Sequence, residues 1–329
     1  MRVAHARLSP TVSREDKLKR VAAAVLATLS AACVSTPATP PQPSPPSPPM
    51  VSVFTVAHQD DWQLFMNPAA WRAMDEKQEK AVFIHVTAGD AGRGVTGEPV
   101  PYYLAREEGA LRAVRFMANA ADPAQGLGLA MNAAKVDIGG HAIQRFAYAN
   151  AVVYFLRLPD GNIVNGAVFT PHPQAIEKLR TAAIESSETI DRSTRYVGWS
   201  DLVGTLAAIV ERERVDESGL SLHIAETNEA LNPGDHPDHR ATALAMEEVA
   251  MRFPCAATHR YDEYATRDRP QNVTGEDYMI DVGTWAATAS GLSDNLAKAT
   301  WEPGHNAWIG RSYSRSTPPP GACAAGPVG

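Results

Sequence analysis

The chain has 329 residues, of which 44% are hydrophobic, and a formal net charge of −7. This composition is typical of a globular protein with a sizeable core, and single α/β domains often exceed about 200 residues. The negative charge gives no reason to expect a nucleic-acid partner, because proteins that bind nucleic acid usually carry a basic patch or stripe.

The first 33 residues have the pattern of an export signal. Basic residues precede the apolar stretch 21–32, which is too short to span a bilayer and ends in small residues. Cys33 follows directly, an arrangement that resembles the bacterial lipoprotein processing site with Cys33 lipidated. We therefore predict an exported lipoprotein, periplasmic or at the cell surface, that meets a membrane only through its lipid anchor. The alternative is an ordinary cleaved signal and a secreted protein.

Proline dominates residues 34–49. Because proline removes backbone donors and fixes φ, this segment is predicted to be an extended linker. The folded domain is then expected over 50–315, followed by a disordered tail over 316–329. If Cys33 is lipidated, Cys255 and Cys323 either pair, which an oxidising compartment permits, or stay separate as a buried thiol and a free one.

Strand and helix patterns alternate along the folded part. Apolar, β-branched runs predict strands, and periodic apolar positions predict helices. In chain order we predict strands over 50–57 and 80–87, a helix over 102–120, a strand or hairpin over 135–149, a strand over 150–158, helices over 173–186 and 200–214, a strand over 220–225, and helices over 236–253 and 276–297. This order predicts a Rossmann-like α/β fold, a mostly parallel sheet with helices on both faces.

Two short segments concentrate acidic and histidine side chains. Residues 56–61 read Val-Ala-His-Gln-Asp-Asp and follow the first predicted strand, and residues 235–241 read Asp-His-Pro-Asp-His-Arg-Ala after the strand over 220–225. In open parallel sheets, the loops beyond the carboxyl ends of the strands form the ligand crevice. We therefore expect the two segments to meet at one site.

The residue types in these segments suit a divalent metal centre. His58, Asp61 and His239 can supply the three protein ligands of a mononuclear site, which leaves a position for water or substrate. Two imidazoles and one carboxylate suit Zn²⁺ and also admit Fe²⁺.

The neighbouring side chains suit acid–base chemistry. Asp60 can take a proton from the activated water, and His236 can meet the charge that develops on the substrate. Asp238 can accept a hydrogen bond from a histidine and hold its ring in place.

The two segments resemble the LmbE-like, or PIG-L, family of zinc-dependent N-acyl sugar deacetylases. Members open with Ala-His-Pro-Asp-Asp-Glu after the first strand, where this chain has Ala-His-Gln-Asp-Asp-Trp over 57–62, and they carry a later His-Pro-Asp-His, here residues 236–239. The resemblance spans about 51–250. It implies that His58, Asp61 and His239 bind the metal.

The resemblance also implies roles for the acid–base groups. Asp60 looks like the general base. His236 looks like the group that stabilises the oxyanion and assists the leaving amine, with Asp238 orienting it. The implied substrate is an N-acetylated saccharide, and for an exported enzyme we expect a glycan that contains N-acetylglucosamine.

The chain departs from the family pattern at two positions. Gln59 replaces proline, which is expected to alter only the stiffness of the turn. Trp62 replaces glutamate, so any task of that carboxylate is lost or reassigned. Because aromatic rings and forked donors suit sugars, Trp62, Arg93 and Arg106 are candidate substrate contacts.

Two other functions stay open on the sequence. A cell-surface lipoprotein that binds glycans without hydrolysing them would keep the same residues, and the replacement at Trp62 favours it. A metal hydrolase of another amide or ester is the second alternative.

Overall fold

A computed structural model describes residues 50–76, 79–125, 130–215, 219–297, 303–319 and 323. The described residues belong to the second of the two units into which the chain divides, Met1–Pro46 and Ser47–Gly329. The predicted signal peptide, the lipidation of Cys33 and the proline-rich linker lie outside the described residues. Within those residues, none of the helices combines the length and the apolar character that crossing a membrane requires.

The described strands alternate with helices along most of the chain. The strands are β1 (Met50–Val56), β2 (Glu79–Thr87), β3 (Asn132–Ile138), β4 (His141–Tyr148), β5 (Ala151–Leu158), β6 (Asn162–Asn165), β7 (Val168–Pro171), β8 (Ser186–Glu188), β9 (Arg195–Val197), β10 (Leu220–Ala225), β11 (Ala257–Asp262) and β12 (Tyr313–Thr317). The helices are α1 (Asp61–Phe65), α2 (Ala69–Asp75), α3 (Tyr102–Ala121), α4 (Ile176–Arg180), α5 (Trp199–Glu213), α6 (Pro237–Ala250), α7 (Gly275–Asp294) and α8 (Pro303–Asn306).

Eight strands form one sheet in the order β12-β11-β10-β1-β2-β5-β4-β3. The five strands from β11 to β5 run parallel, and β12, β4 and β3 are antiparallel additions at the two edges. The predicted α/β fold with a mostly parallel sheet is therefore confirmed. The stretch over 135–149, predicted as a strand or hairpin, belongs to the hairpin β3–β4.

Helices cover both faces of the sheet, as predicted. Successive strand residues point to opposite faces, so Val53 of β1 packs in the core beneath α5 and α6, while Phe54 packs in the core beneath α3 and α7. Both strand side chains are fully buried. This two-sided burial explains why the central strands read as continuous apolar runs.

Some predicted boundaries differ from the structure. The helix predicted over 173–186 is only α4, because Ala182 takes a left-handed conformation (φ 55°) and the chain continues into the hairpin β8–β9. The helix predicted over 200–214 is α5, which begins one residue earlier at Trp199 and has Gly198 as its N-cap.

The end of the domain also lies further along the chain than predicted. β12 pairs with β11 as far as Thr317, and Cys323 forms a disulfide with Cys255. The prediction of a disordered tail over 316–329 is therefore wrong for Ser316, Thr317 and Cys323. Pairing with β11 orders the first two residues, and the disulfide orders the third. The sequence leaves open whether Cys255 and Cys323 pair, and in the structure they do.

Candidate active site

The first motif lies in the tight turn between β1 and α1. The backbone N–H of His58 donates to Asp61 Oδ2 over 2.7 Å, so the carboxylate at the start of the helix folds back over the turn. Both side chains are buried. Asp61 Oδ1 remains free to face the two imidazoles of the site.

The second motif lies at the start of α6, after β10. His236 is the N-cap and its Nδ1 accepts from the backbone N–H of Asp238 over 3.2 Å, while Pro237 occupies the first helical position, which needs no donor. Because β10 pairs in parallel with β1, the carboxyl ends of the two strands are neighbours. The two motifs therefore meet, as predicted.

The three predicted ligands converge on one point. His58 Nδ1 lies 3.0 Å from His239 Nε2, His239 Nε2 lies 3.2 Å from Asp61 Oδ1, and His58 Nδ1 lies 3.5 Å from Asp61 Oδ1. Ligand bonds of 2.0–2.1 Å at tetrahedral angles place donor atoms about 3.4 Å apart. The spacing of these three atoms therefore fits a divalent cation such as Zn²⁺.

Carboxylates stand behind both imidazoles. His58 Nε2 lies 3.4 Å from Asp238 Oδ2, and His239 Nδ1 lies 2.8 Å from Asp235 Oδ1 and 2.5 Å from Glu263 Oε2. A metal-bound histidine usually directs its other ring nitrogen to such a carboxylate, which fixes its tautomer and raises its basicity. The surroundings of both rings thus have the form of a metal site.

The charges at this site favour a cation. Burial opposes the imidazolium, but the carboxylates of Asp61, Asp238 and Asp160 together outweigh it and raise the pKa of His58 to about 10. Burial raises the pKa of Glu263 to about 8, although His239 opposes that change. Five carboxylates lie within 4 Å of the two imidazoles of His58 and His239, those of Asp61, Asp160, Asp235, Asp238 and Glu263. A bound divalent cation compensates such an excess of negative charge.

Asp60 is held by partners other than the three ligands. It forms an ion pair with Arg106, whose Nη1 also donates to the Gly89 carbonyl over 2.8 Å, and His305 Nε2 lies 3.8 Å from Asp60 Oδ2. Burial favours the neutral acid, yet Arg106 lowers the pKa of Asp60, so the side chain is ionised at neutral pH. A side chain at Gly89 (φ 53°) would overlap Arg106.

His236 is arranged as a neutral hydrogen-bond donor. Burial lowers its pKa to about 4, and because Nδ1 accepts from the Asp238 backbone, the ring proton sits on Nε2. Nε2 lies 2.7 Å from the side-chain amide of Asn162, which satisfies this tautomer when its oxygen faces the ring. A substrate oxygen that takes the place of Asn162 can therefore accept from the Nε2–H of His236.

The carboxylate of Asp238 has a different partner from the predicted one. Its Oδ2 accepts from the Gly161 backbone N–H over 2.6 Å and lies closer to His58 Nε2, at 3.4 Å, than to His236 Nδ1, at 3.9 Å. The backbone N–H of Asp238 orients His236, and its side chain supports His58. The predicted role is corrected because the start of α6 turns this carboxylate inward.

Arg93 and Arg106 lie where a substrate contact is expected. Both line a cavity of about 290 Å³ that opens over the site. The Arg93 guanidinium lies 4.3 Å from the ring centroid of Tyr102. The cavity is also lined by His58, Asp60, Asp61, His236, Phe169, Tyr264, His305 and Trp308.

Trp62 does not line this cavity. Its side chain is 0% exposed and packs against Phe83, with ring centroids 4.5 Å apart. Consecutive helix residues point about 100° apart, so Asp61 faces the site while Trp62 enters the core. The predicted sugar contact at Trp62 is therefore wrong.

Gln59 does more than change the turn. Its side-chain amide donates to the carbonyls of Thr87 and Ala88 over 3.2 and 2.9 Å, which joins the end of β1 to the end of β2. The prediction that Gln59 alters only the stiffness of the turn is therefore wrong, because its side chain also links two strands.

Several residues at the site have no role assigned from the sequence. Asp235 was quoted within the second motif without a role, and Asn162, Glu263 and His305 carry no local pattern. Glu263 follows β11, whose sequence Ala-Thr-His-Arg-Tyr-Asp lacks the apolar run that reveals a buried strand. Only tertiary packing brings these residues to the site.

The chain is similar in structure to several solved deacetylases. They include N,N'-diacetylchitobiose deacetylase from Pyrococcus horikoshii (14% identity, 82% of this chain and 84% of that chain, TM-score 0.44) and the A40926 pseudoaglycone deacetylase Dbv21 (13%, 82% and 96%, 0.43). A third is a zinc-inhibited form of teicoplanin deacetylase Orf2 (13%, 74% and 84%, 0.40).

No protein-family model matches the chain, and no curated protein matches it.

Proposed function

We propose that this chain is a metal-dependent hydrolase that removes N-acetyl groups from a sugar or glycan containing N-acetylglucosamine. The observation that carries the proposal is the convergence of His58, Asp61 and His239 within 3.0–3.5 Å of one another. Asp60 and His236 line the same cavity. We propose Zn²⁺ as the ion, with Fe²⁺ as the alternative.

The proposed reaction divides its tasks among a few side chains. A divalent ion held by the three ligands would lower the pKa of a bound water and polarise the acyl carbonyl. Asp60, kept ionised by Arg106, accepts the proton that the attacking water loses. His236 donates from Nε2 to the carbonyl oxygen as negative charge develops there.

The products follow from the fate of that proton. Asp60 passes it to the amide nitrogen, the carbon–nitrogen bond breaks, and acetate and a free amine leave. A positioned acid–base group typically contributes 10²–10⁴-fold to such a reaction.

The alternative function is a glycan-binding protein without hydrolytic activity. The sequence feature that favours it is Trp62, which replaces a glutamate of the family pattern. Trp62 lies in the core, and the cavity still contains the acid–base groups Asp60 and His236. The burial of Trp62 removes the support that its replacement gave to the binding protein. Hydrolysis of another amide or ester is tested with muropeptides and an acyl ester as substrates.

The deciding experiment combines metal analysis with product detection. Protein reconstituted with Zn²⁺ or Fe²⁺ is assayed for acetate and free amine with N-acetylglucosamine, N,N'-diacetylchitobiose, muropeptides and an acyl ester. We expect one equivalent of metal and deacetylation of the amino sugars. His239→Ala should lose both, while His259→Ala, which changes a histidine of β11 outside the cavity, should keep both. Binding of the sugars by metal-loaded protein without release of acetate would contradict the proposal.

We also propose that the chain is exported and held at a membrane through Cys33. The support is the apolar segment over 21–32 followed by Cys33. Fractionation and fatty-acid labelling test this idea, with Cys33→Ala expected to lose the label and leave the membrane fraction. Label that persists in the variant would contradict it, and a wild type found only in the medium would indicate secretion.

A further inference from the structure

The hairpin β6–β7 forms one wall of the site. At its base, Asn162 meets His236 and the Val164 backbone N–H donates to the Ala91 carbonyl over 3.0 Å. Further along, Val168 and Phe169 are 62% and 66% exposed. The hairpin is thus anchored next to the reacting groups and carries apolar side chains into solvent.

A second cavity of about 450 Å³ lies next to the first. Four residues, Phe169, Tyr264, His305 and Trp308, line both cavities. Arg267 and Asp268 line only the second. A ligand held over the proposed metal centre therefore has a continuous path into the second cavity along the side of Phe169.

The wall of this second cavity is arranged before any ligand binds. Tyr264 stacks on Trp308 with ring centroids 5.0 Å apart, and the Arg267 guanidinium lies 4.5 Å from the Trp308 ring centroid. Arg267 Nη2 also donates to the Gly304 carbonyl over 3.3 Å. A wall that is already ordered loses little conformational freedom when it binds a ligand.

The residue types suit a sugar ring better than an acyl chain. The exposed ring of Phe169 offers an aromatic face to the C–H groups of a pyranose, and Arg267 and Asp268 offer a donor and an acceptor to hydroxyl groups. An acyl chain would remove these two charged groups from water without compensating them, which is costly.

We propose that the second cavity binds the sugar next to the one that is deacetylated, so that the enzyme prefers disaccharides and longer glycans to monosaccharides. This inference rests on the proposed deacetylase function. It assigns the choice of substrate length to Phe169 and Arg267.

The test compares two substrates in the zinc-loaded protein. We expect kcat/KM for N,N'-diacetylchitobiose to exceed that for N-acetylglucosamine, and Phe169→Ala or Arg267→Ala to lower this ratio roughly fivefold to tenfold, as the loss of one aromatic or cationic contact implies. Val168→Ala is the matched control, because it truncates a neighbour of similar exposure that lines neither cavity, and it should leave the ratio unchanged.

Binding measurements separate failure of this inference from failure of the proposed function. In calorimetry, the zinc-loaded Asp60→Ala variant, which cannot turn the sugars over, should bind chitotriose more tightly than N-acetylglucosamine. Adding Phe169→Ala to this variant should remove most of the difference. Equal affinity for both sugars, or a ratio that Phe169→Ala and Arg267→Ala leave intact, would overturn the second sugar site. Length-dependent binding without acetate release by the wild type would instead reject the deacetylase function alone.

Discussion

His58 Nδ1 and His239 Nε2 lie 3.0 Å apart, although 181 positions separate the two residues. Each belongs to a segment that follows one of two neighbouring parallel strands, β1 and β10. Two bare nitrogens at this distance would be destabilising without a proton or a cation between them. The contact therefore connects the topology of the sheet to the chemistry of the site.

Asp60 is expected to be needed for turnover and not for metal binding. In Asp60→Asn, the side chain keeps its size but cannot accept the proton, so kcat should fall by about 10²–10⁴-fold with metal content unchanged. Atomic absorption and an acetate assay measure the two quantities. Asp137→Asn, an exposed change on the hairpin β3–β4, is the control and should match the wild type. A near-normal rate in Asp60→Asn would remove this residue from the role of base.

Glu263 and Asp235 are expected to strengthen metal binding through His239. Both contact His239 Nδ1, so Glu263→Gln and Asp235→Asn should each weaken metal affinity by about 10–100-fold. Competition with a chelator of known affinity gives the dissociation constants without relying on activity. Glu276→Gln, at an exposed position at the start of α7, should not change them. Unaltered affinity in both site variants would show that these carboxylates do not support the ligand.

Asp281 is expected to make the fold less stable as pH rises. Burial raises its pKa to about 6, against hydrogen bonds from Gly310 and Asn67. The folded state therefore binds this proton more tightly than the unfolded state, and the stabilisation present below about pH 4 is lost as pH rises to about 6. The shift corresponds to about 3 kcal/mol.

The test for Asp281 compares the free energy of unfolding of the wild type and of Asp281→Asn as a function of pH. Asp281→Asn cannot ionise, so its free energy of unfolding should rise relative to the wild type between pH 4 and 7. Urea unfolding at several pH values gives this difference. Parallel curves across that range would show that Asp281 titrates normally.

The disulfide between Cys255 and Cys323 is expected to stabilise the C-terminal part of the fold. The two residues are 68 positions apart, and removal of a cross-link over a loop of that length typically costs about 2–4 kcal/mol. Cys323→Ser should lower Tm accordingly. A reductant should lower the Tm of the wild type to a similar value and leave that of the variant unchanged. A wild type insensitive to the reductant and equal in Tm to the variant would contradict this role.

The pairing of the two motifs could be read from the sequence for a general reason. Apolar runs predicted β1 and β10 as parallel strands, and the carboxyl ends of such strands share one edge of the sheet. The sequence therefore predicts that His58, Asp61 and His239 lie together. Short-range patterns of this kind carry the fold class and the proposed metal ligands.

The partners of those ligands depended on long-range packing. No local sequence pattern indicates that the carboxylate of Asp238 faces His58 or that Trp62 packs in the core. Nor does one indicate that Glu263, which follows the weakly apolar strand β11, contacts His239. These outcomes follow from helix orientation and from contacts between residues far apart in the chain. The sequence by itself thus determined which residues meet, and the tertiary structure decided which atoms face one another, because side-chain direction is set by the packing of whole elements.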